Sequence, residues 1–214
     1  FGMIISPSIA SSNILYVADE VAFAERYCRQ VHLDIEDGIA VQDISFGMKM
    51  CKKIKEIVSS DTYISLHLEV QNPLCYLEEI RSIEPDIVFV QTNHLENPLS
   101  VLQRFKEAGI HTGLSISDAD MATNNLAPLL SISEQTLVLT ASLTDPKQRF
   151  QMEFFQYAVK IAQKERIPVW VDGGITLELY KKIKQTKTPI YAVVMGRGVF
   201  GDKKKFLETI YWER

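Results

Sequence analysis

The amino-acid sequence predicts an α/β protein folded as a single (β/α)8 TIM barrel over residues 1–214, on three observations. Eight short apolar runs rich in β-branched residues recur along the chain, at 3–9, 30–35, 63–70, 86–91, 111–116, 136–141, 167–172 and 190–195. The segments between them carry apolar residues at i, i+3, i+4 and i+7, with Glu and Lys on the opposite face. No Pro/Gly/Ser-rich linker divides the 214 residues, whose 46% hydrophobic and 23% charged content is that of an ordinary folded domain. A doubly wound open sheet needs fewer strands and ranks second.

Taken in order, the first strand feeds a helix at 15–27, the second one at 46–58, the third one at 74–83 and the fourth one at 99–108. The fifth unit is the weakest: after Ile116 the stretch 117–125 is polar and turn-like, and only 126–130 has helical character, broken by Pro128. The sixth, seventh and eighth strands lead into helices at 148–164, 177–185 and 203–210. Right-handed crossovers between successive strands make the sheet parallel.

With 27 acidic and 23 basic residues the formal net charge is -4, and no Lys/Arg run extends beyond Lys203-Lys204-Lys205, so nucleic acid is excluded as a partner. The three cysteines, Cys28, Cys51 and Cys75, are odd in number and lack C-x-x-C or finger spacing. They read as reduced thiols of a cytoplasmic protein. No apolar run reaches the length of a membrane span, and the start at 1–6 lacks the charged and apolar regions of a secretory leader.

In a barrel, chemistry belongs at the C-terminal ends of the strands. Side chains alternate faces along a strand, so His32, Asp34 and Glu36 share one face while Leu33 and Ile35 take the other. The third strand repeats this with Ser65, His67 and Glu69 in phase. The seventh ends in Asp172, in phase with Trp170 and followed by Gly173-Gly174. Any one of these alone reads as a hydrogen-bonded polar residue at a strand end. Two imidazoles and two carboxylates brought together form a shell for Zn, Mn, Fe or Co, whereas two aspartates buried without a cation repel each other.

Glycines in Asp172-Gly173-Gly174-Ile175 and Met195-Gly196-Arg197-Gly198, each between a strand and a helix, let backbone N–H groups close on a phosphate, and Arg197 adds a charge. His94 lies in a loop facing solvent, and His111 lies at the barrel end away from the chemistry.

On these motifs the chain resembles the ribulose-phosphate 3-epimerase family, nearly end to end. The family's H-x-D-x-M-D-G looks like His32 to Gly38, its F-V-x-N-x-[ST]-F-G like Ala40 to Gly47, its V-H-L-M like Leu66 to Glu69, and its V-D-G-G-I is Val171 to Ile175. The resemblance implies a barrel of the ribulose-phosphate-binding type that inverts a ketose phosphate at C3 through an enediolate. It implies one divalent metal ion held by His32, Asp34, His67 and Asp172, with Asp34 and Asp172 as the acid/base pair. Ser8 would contact the substrate, the backbone at Gly173, Gly174, Gly196 and Arg197 would take the phosphate, and the chain would form a homo-oligomer, a dimer or hexamer.

Departures from the family pattern are as informative. Three methionines over the reacting centre are replaced by Glu36, Glu69 and Leu139, which become candidate specificity residues. The glycine-rich E-P-G-F-G-G-Q loop after the sixth strand is replaced by Ser142-Leu143-Thr144-Asp145-Pro146-Lys147-Gln148, with Lys147 or Arg149 as compensating cations. The pairing of His32 to Asp37 with Phe46-Gly47-Met48-Lys49 resembles an epimerase-like branch associated with bacterial carbohydrate-uptake clusters, which implies a different sugar phosphate. The alternative from another class is a barrel that binds a sugar phosphate and has lost turnover. The Asp-x-Lys-x-x-Asp set of other phosphate-binding barrels is a remote match, because 33–36 contains no Lys.

Overall fold

The computed structural model describes residues 3–123 and 125–211. The ends of the expected 1–214 domain and Asn124 of the polar stretch lie outside them. All eight expected strands form: β1 (Ile4–Pro7), β2 (Gln30–Glu36), β3 (Tyr63–Glu69), β4 (Ile87–Gln91), β5 (Thr112–Ile116), β6 (Thr136–Leu139), β7 (Val169–Asp172) and β8 (Ala192–Met195). They pair in parallel in the order β1-β8-β7-β6-β5-β4-β3-β2, and a lone parallel bridge between Ser8 and His32 brings the two ends of the sheet together. The result is a nearly closed barrel.

The alternation read from the sequence sorts the side chains into two cores. Outward residues such as Leu33, Ile35, Leu66, Leu68, Val88, Val90 and Val171 pack beneath the helices. Inward residues Ile87, Phe89, Leu137, Trp170, Ala192 and Val194 plug the lower barrel. Phe89 meets Trp170 edge-on with ring centroids 5.3 Å apart. The Trp170 indole N–H donates to Gln135 Oε1 at 2.7 Å, and Gln135 Nε2 donates to the Tyr63 hydroxyl at 3.0 Å. This plug is the floor on which the polar residues of the mouth stand. Room for it depends on Gly113, where a Cβ would lie 2.6 Å from the Phe89 ring.

The helices are α1 (Val17–Cys28), α2 (Met48–Ile57), α3 (Leu77–Ile83), α4 (Pro98–Glu107), α5 (Asp118–Thr123), α6 (Ala127–Ile132), α7 (Met152–Lys164), α8 (Leu177–Gln185), α9 (Arg197–Phe200) and α10 (Lys203–Tyr211). Three differ from expectation. The polar segment after β5 is the short helix α5, because the Asp120 carboxylate accepts from the Ser117 N–H at 2.8 Å and hydroxyl at 2.7 Å, half of a capping box. Pro128 sits in the first turn of α6, where its missing N–H costs nothing, and so helps start that helix instead of breaking it. α7 begins at Met152 rather than residue 148, because 145–149 wraps around Asp145. The three cysteines are free thiols, with Cys51 buried. Among the described residues no helix is long and apolar enough to cross a membrane.

Gly113→Val is expected to destabilise the barrel by at least about 1–3 kcal/mol through overpacking against Phe89, measured by denaturant unfolding; unchanged stability would show that the plug tolerates added volume.

Candidate metal and substrate site

β2 and β3 pair so that His32 faces Ser65, Asp34 faces His67 and Glu36 faces Glu69 across the ladder. The pleat sends all six inward, and β7 contributes Asp172 at its last position. One ligand atom from each of His32, Asp34, His67 and Asp172 lies within 4.8 Å of the others. The four form the floor of the barrel mouth, which opens into a cavity of about 1080 Å³ with Glu36, Glu69 and the loops after β6, β7 and β8 around it. The four residues that the sequence reading grouped do lie together.

Hydrogen bonds fix which nitrogen of each imidazole is turned to the centre. The Ser65 hydroxyl donates to the Val31 carbonyl at 3.4 Å and sits 2.7 Å from His32 Nδ1, so the serine holds Nδ1 and turns Nε2 to the centre. For His67 the chain of donors is longer: Gln91 Nε2 donates to Asn93 Oδ1, Ser115 Oγ donates to Gln91 Oε1 at 2.8 Å, and Ser115 Oγ lies 2.8 Å from His67 Nε2. The Ser115 proton is committed to Gln91, so Ser115 accepts from His67 Nε2–H and turns Nδ1 to the centre.

Both of these nitrogens face Asp34 Oδ1, at 3.1 Å from His32 Nε2 and 3.4 Å from His67 Nδ1. Both buried nitrogens lack a hydrogen-bond partner. Two fully buried ring nitrogens without a hydrogen-bond partner, converging on a carboxylate, are what a cation requires and what an empty polar core avoids. The N₂O₂ donor set suits Zn, Mn, Fe or Co.

The charges without an ion tell the same story. Burial raises the Asp34 pKa, but the adjacent His32 and His67 outweigh it and hold the carboxyl far below the usual range. Burial, and then the Asp34 charge, push Asp172 well above its ordinary value. Burial pulls His67 down, yet Glu69, Asp34 and Asp172 together lift it to about 9. Burial and the neighbouring Glu69 and Asp34 push Glu36 up to about 8, and burial raises Glu69. Protons are thus retained where a cation would otherwise stand.

The other expected residues fall around this centre. Ser8 lines the cavity, with its hydroxyl donating to Asp34 Oδ2 at 2.6 Å, so it also orients the carboxylate that both imidazoles face. Leu139 is buried opposite Asp172 and is not among the cavity-lining residues, whereas Glu36 and Glu69 are. Gly173 and Gly174 take positive φ of 110° and 68°, and a Cβ on Gly174 would lie 2.4 Å from the Phe150 nitrogen, so only glycine fits the turn. Gly196 and Arg197 line the same end of the cavity, and the Arg197 guanidinium donates to the Lys147 carbonyl at 3.2 Å.

The loop after β6 is organised by its own anion. Asp145 accepts from the Lys147 and Arg149 N–H groups, each at 3.1 Å, and from Arg149 Nε at 2.8 Å. Of the two cations expected to compensate for the lost glycines, Arg149 is therefore paired internally. Lys147 lines the cavity and makes no ion pair among the described residues. His94 is half-buried, not solvent-facing: its Nε2 donates to the Val70 carbonyl at 2.9 Å. His111 is exposed and pairs with Glu134 at 2.7 Å, away from the mouth. Sequence reasoning missed the supporting roles of Gln91 and Ser115, whose only signal was their inward phase on strands β4 and β5.

Comparison with known proteins agrees with this geometry. The profile of the ribulose-phosphate 3-epimerase family matches residues 4–200. Proteins named ribulose-phosphate 3-epimerase are similar along most of their length: that of Helicobacter pylori is 23% identical, covering 96% of this chain and 94% of its own. That of Mycobacterium tuberculosis is 24% identical, covering 94% and 87%. Among solved structures, the tryptophan synthase A-subunit of Pyrococcus furiosus superposes with a TM-score of 0.70 at 14% identity, covering 99% of this chain and 94% of that one, which shows the barrel fold alone.

Two outcomes are expected. Ser115→Ala removes the acceptor that holds the His67 tautomer and should weaken Zn binding by about 10- to 100-fold in a chelator competition; undiminished affinity would show that the tautomer is not held this way. Since His67 keeps its proton up to about pH 9 in the free protein, an incoming ion must displace it. Affinity should therefore fall as pH falls, and Zn titration at pH 7 should release about one proton or more per ion, read by calorimetry in buffers of different ionisation enthalpy.

Proposed function

The chain belongs to the ribulose-phosphate 3-epimerase family, and from that premise we propose that it is a metal-dependent epimerase inverting carbon 3 of a ketose phosphate. The observation that carries this reading is the convergence of two buried, unpartnered imidazole nitrogens and two oppositely perturbed carboxyls at the barrel mouth. His32, Asp34, His67 and Asp172 would hold the ion, and a divalent cation there supplies positive charge to the oxygens of an enediolate.

The chain's own groups move the proton. Asp34, kept ionised, is the base that takes the C3 proton, and the electron pair of the broken C–H bond passes into the C2 carbonyl. Asp172, kept protonated, delivers a proton to C3 from the opposite face, and the carbonyl re-forms with no net redox change. Exchange with water resets the two carboxyls, and in the reverse direction their roles swap. Ser8 steadies Asp34 through its hydrogen bond. The phosphate is received at the other end of the cavity by the backbone of Gly173, Gly174, Gly196 and Arg197, with the Lys147 ammonium beside them. This placement is supported by the tight glycine turn and by the cations that line that wall.

A second reading, a barrel that binds sugar phosphates without turnover, is favoured by one observation: Asp145 fills the amides of the loop after β6. One experiment separates the two. Asp34→Asn and Asp172→Asn should each lower solvent deuterium incorporation at C3 of the active ketose phosphate by about 10²- to 10⁴-fold while the circular dichroism of the barrel is unchanged. Exchange that persists in both variants defeats the epimerase mechanism, and a wild-type protein that binds ketose phosphates but exchanges none of them establishes the binding barrel.

A further inference from the structure

A backbone amide in a loop either pairs within the chain or is open to a ligand. In the loop after β6 every amide from 144 to 149 is paired. Thr144 donates to the Ser142 hydroxyl at 3.2 Å, Asp145 to the Ser142 carbonyl at 3.1 Å and Gln148 to the Asp145 carbonyl at 2.8 Å, while Pro146 has no N–H. The remaining two, Lys147 and Arg149, flank Gln148, whose left-handed φ of 45° makes their N–H groups converge on one point. Converging amides of this kind form a seat for an anion.

The chain fills that seat itself. Asp145 Oδ1 accepts from the Lys147 N–H and Oδ2 from the Arg149 N–H, each at 3.1 Å. The Arg149 guanidinium closes on the same carboxylate, from Nε at 2.8 Å and Nη2 at 3.4 Å. The Asp145 side chain is only 11% exposed, and the Arg149 side chain with the two amides holds its carboxyl down at about 2, so it is an anion at neutral pH.

The other edge of the loop is turned to the glycine turns. Arg197 Nη2 donates to the Lys147 carbonyl at 3.2 Å, and a Cβ on Gly174 would lie 2.6 Å from the Gln148 carbonyl oxygen. Carbonyl oxygens repel a phosphate. What this loop offers a phosphate is the ammonium of Lys147, which lines the cavity and makes no ion pair among the described residues.

Resting on the phosphate placement in the reading above, we propose that Asp145 is a positioning residue that sets how the phosphate is held. It occupies the seat made by the Lys147 and Arg149 amides, withholds the Arg149 guanidinium, and leaves the phosphate to Lys147, Arg197 and the two glycine turns. A phosphate dianion does not enter a seat already filled by a carboxylate. The loop is thereby ordered before substrate arrives, and the cavity grips phosphate less tightly than the same backbone could.

The test is calorimetric titration of inorganic phosphate into the protein at pH 7.5 and fixed salt, with melting temperature as the control for folding. Asp145→Ala is expected to bind phosphate about tenfold more tightly than the wild type. Arg149→Met should cost the wild type less than about twofold, yet remove most of the gain when combined with Asp145→Ala. That coupling separates a vacated seat from the mere removal of a negative charge. Asp145→Asn keeps the size of the side chain and is a second, milder variant, expected to gain in the same direction. No gain in either variant, a gain that survives Arg149→Met, or a wild-type loss from Arg149→Met as large as that from Lys147→Met overturns the inference. Lys147→Met and Arg197→Met should each lower phosphate affinity about tenfold; if neither does, the phosphate does not rest on this wall and the inference falls with its premise. A protein that follows the expected pattern but exchanges no C3 proton of any ketose phosphate counts against the epimerase reading and leaves the role of Asp145 intact.

Discussion

The structure turns on the orientation of two imidazole rings. His32 and His67 are wholly buried, and each spends one nitrogen on a serine hydroxyl whose own proton is already committed elsewhere. The other nitrogen of each is thereby turned to the centre, and both meet the same oxygen of Asp34. Such an arrangement is unfavourable in a closed apolar core and favourable around a cation. Much else follows from it: the Ser8 hydrogen bond that steadies Asp34, the raised proton affinity of Asp172, and the aromatic plug of Phe89 and Trp170 that supports the His32 ring from below.

The fold was legible because parallel barrel strands are buried on both faces and bounded by turn residues, so all eight stood out as β-branched runs. The departures came where local hydrogen bonds override pattern. Asp120 caps a polar helix that hydropathy cannot show, and Asp145 gathers the segment that periodicity assigned to the start of α7. Pro128 was legible as punctuation, but a proline in a first turn and one that breaks a helix look alike until the helix start is known.

The cluster at the barrel mouth was legible for a different reason. A period of two placed His32 with Asp34 and His67 with Glu69, and the glycine pair marked the strand end at Asp172. What period two cannot supply is the register between strands. Gln91 and Ser115 matter only because β4 and β5 align them, Gln91 opposite Ser115, within reach of His67. Neither residue type announces such a role by itself. The same register turns Glu36 and Glu69, two separate substitutions in the sequence, into one acidic wall opposite the cations of the β6 and β8 loops.

The central claim is the metal centre, and elemental analysis of the protein purified without chelator or added metal tests it most directly, beside a His67→Ala variant prepared in the same way. The account predicts about one Zn, Mn, Fe or Co ion per chain, lost in the variant. A wild-type protein that holds no ion, even after incubation with each of these metals, would contradict it.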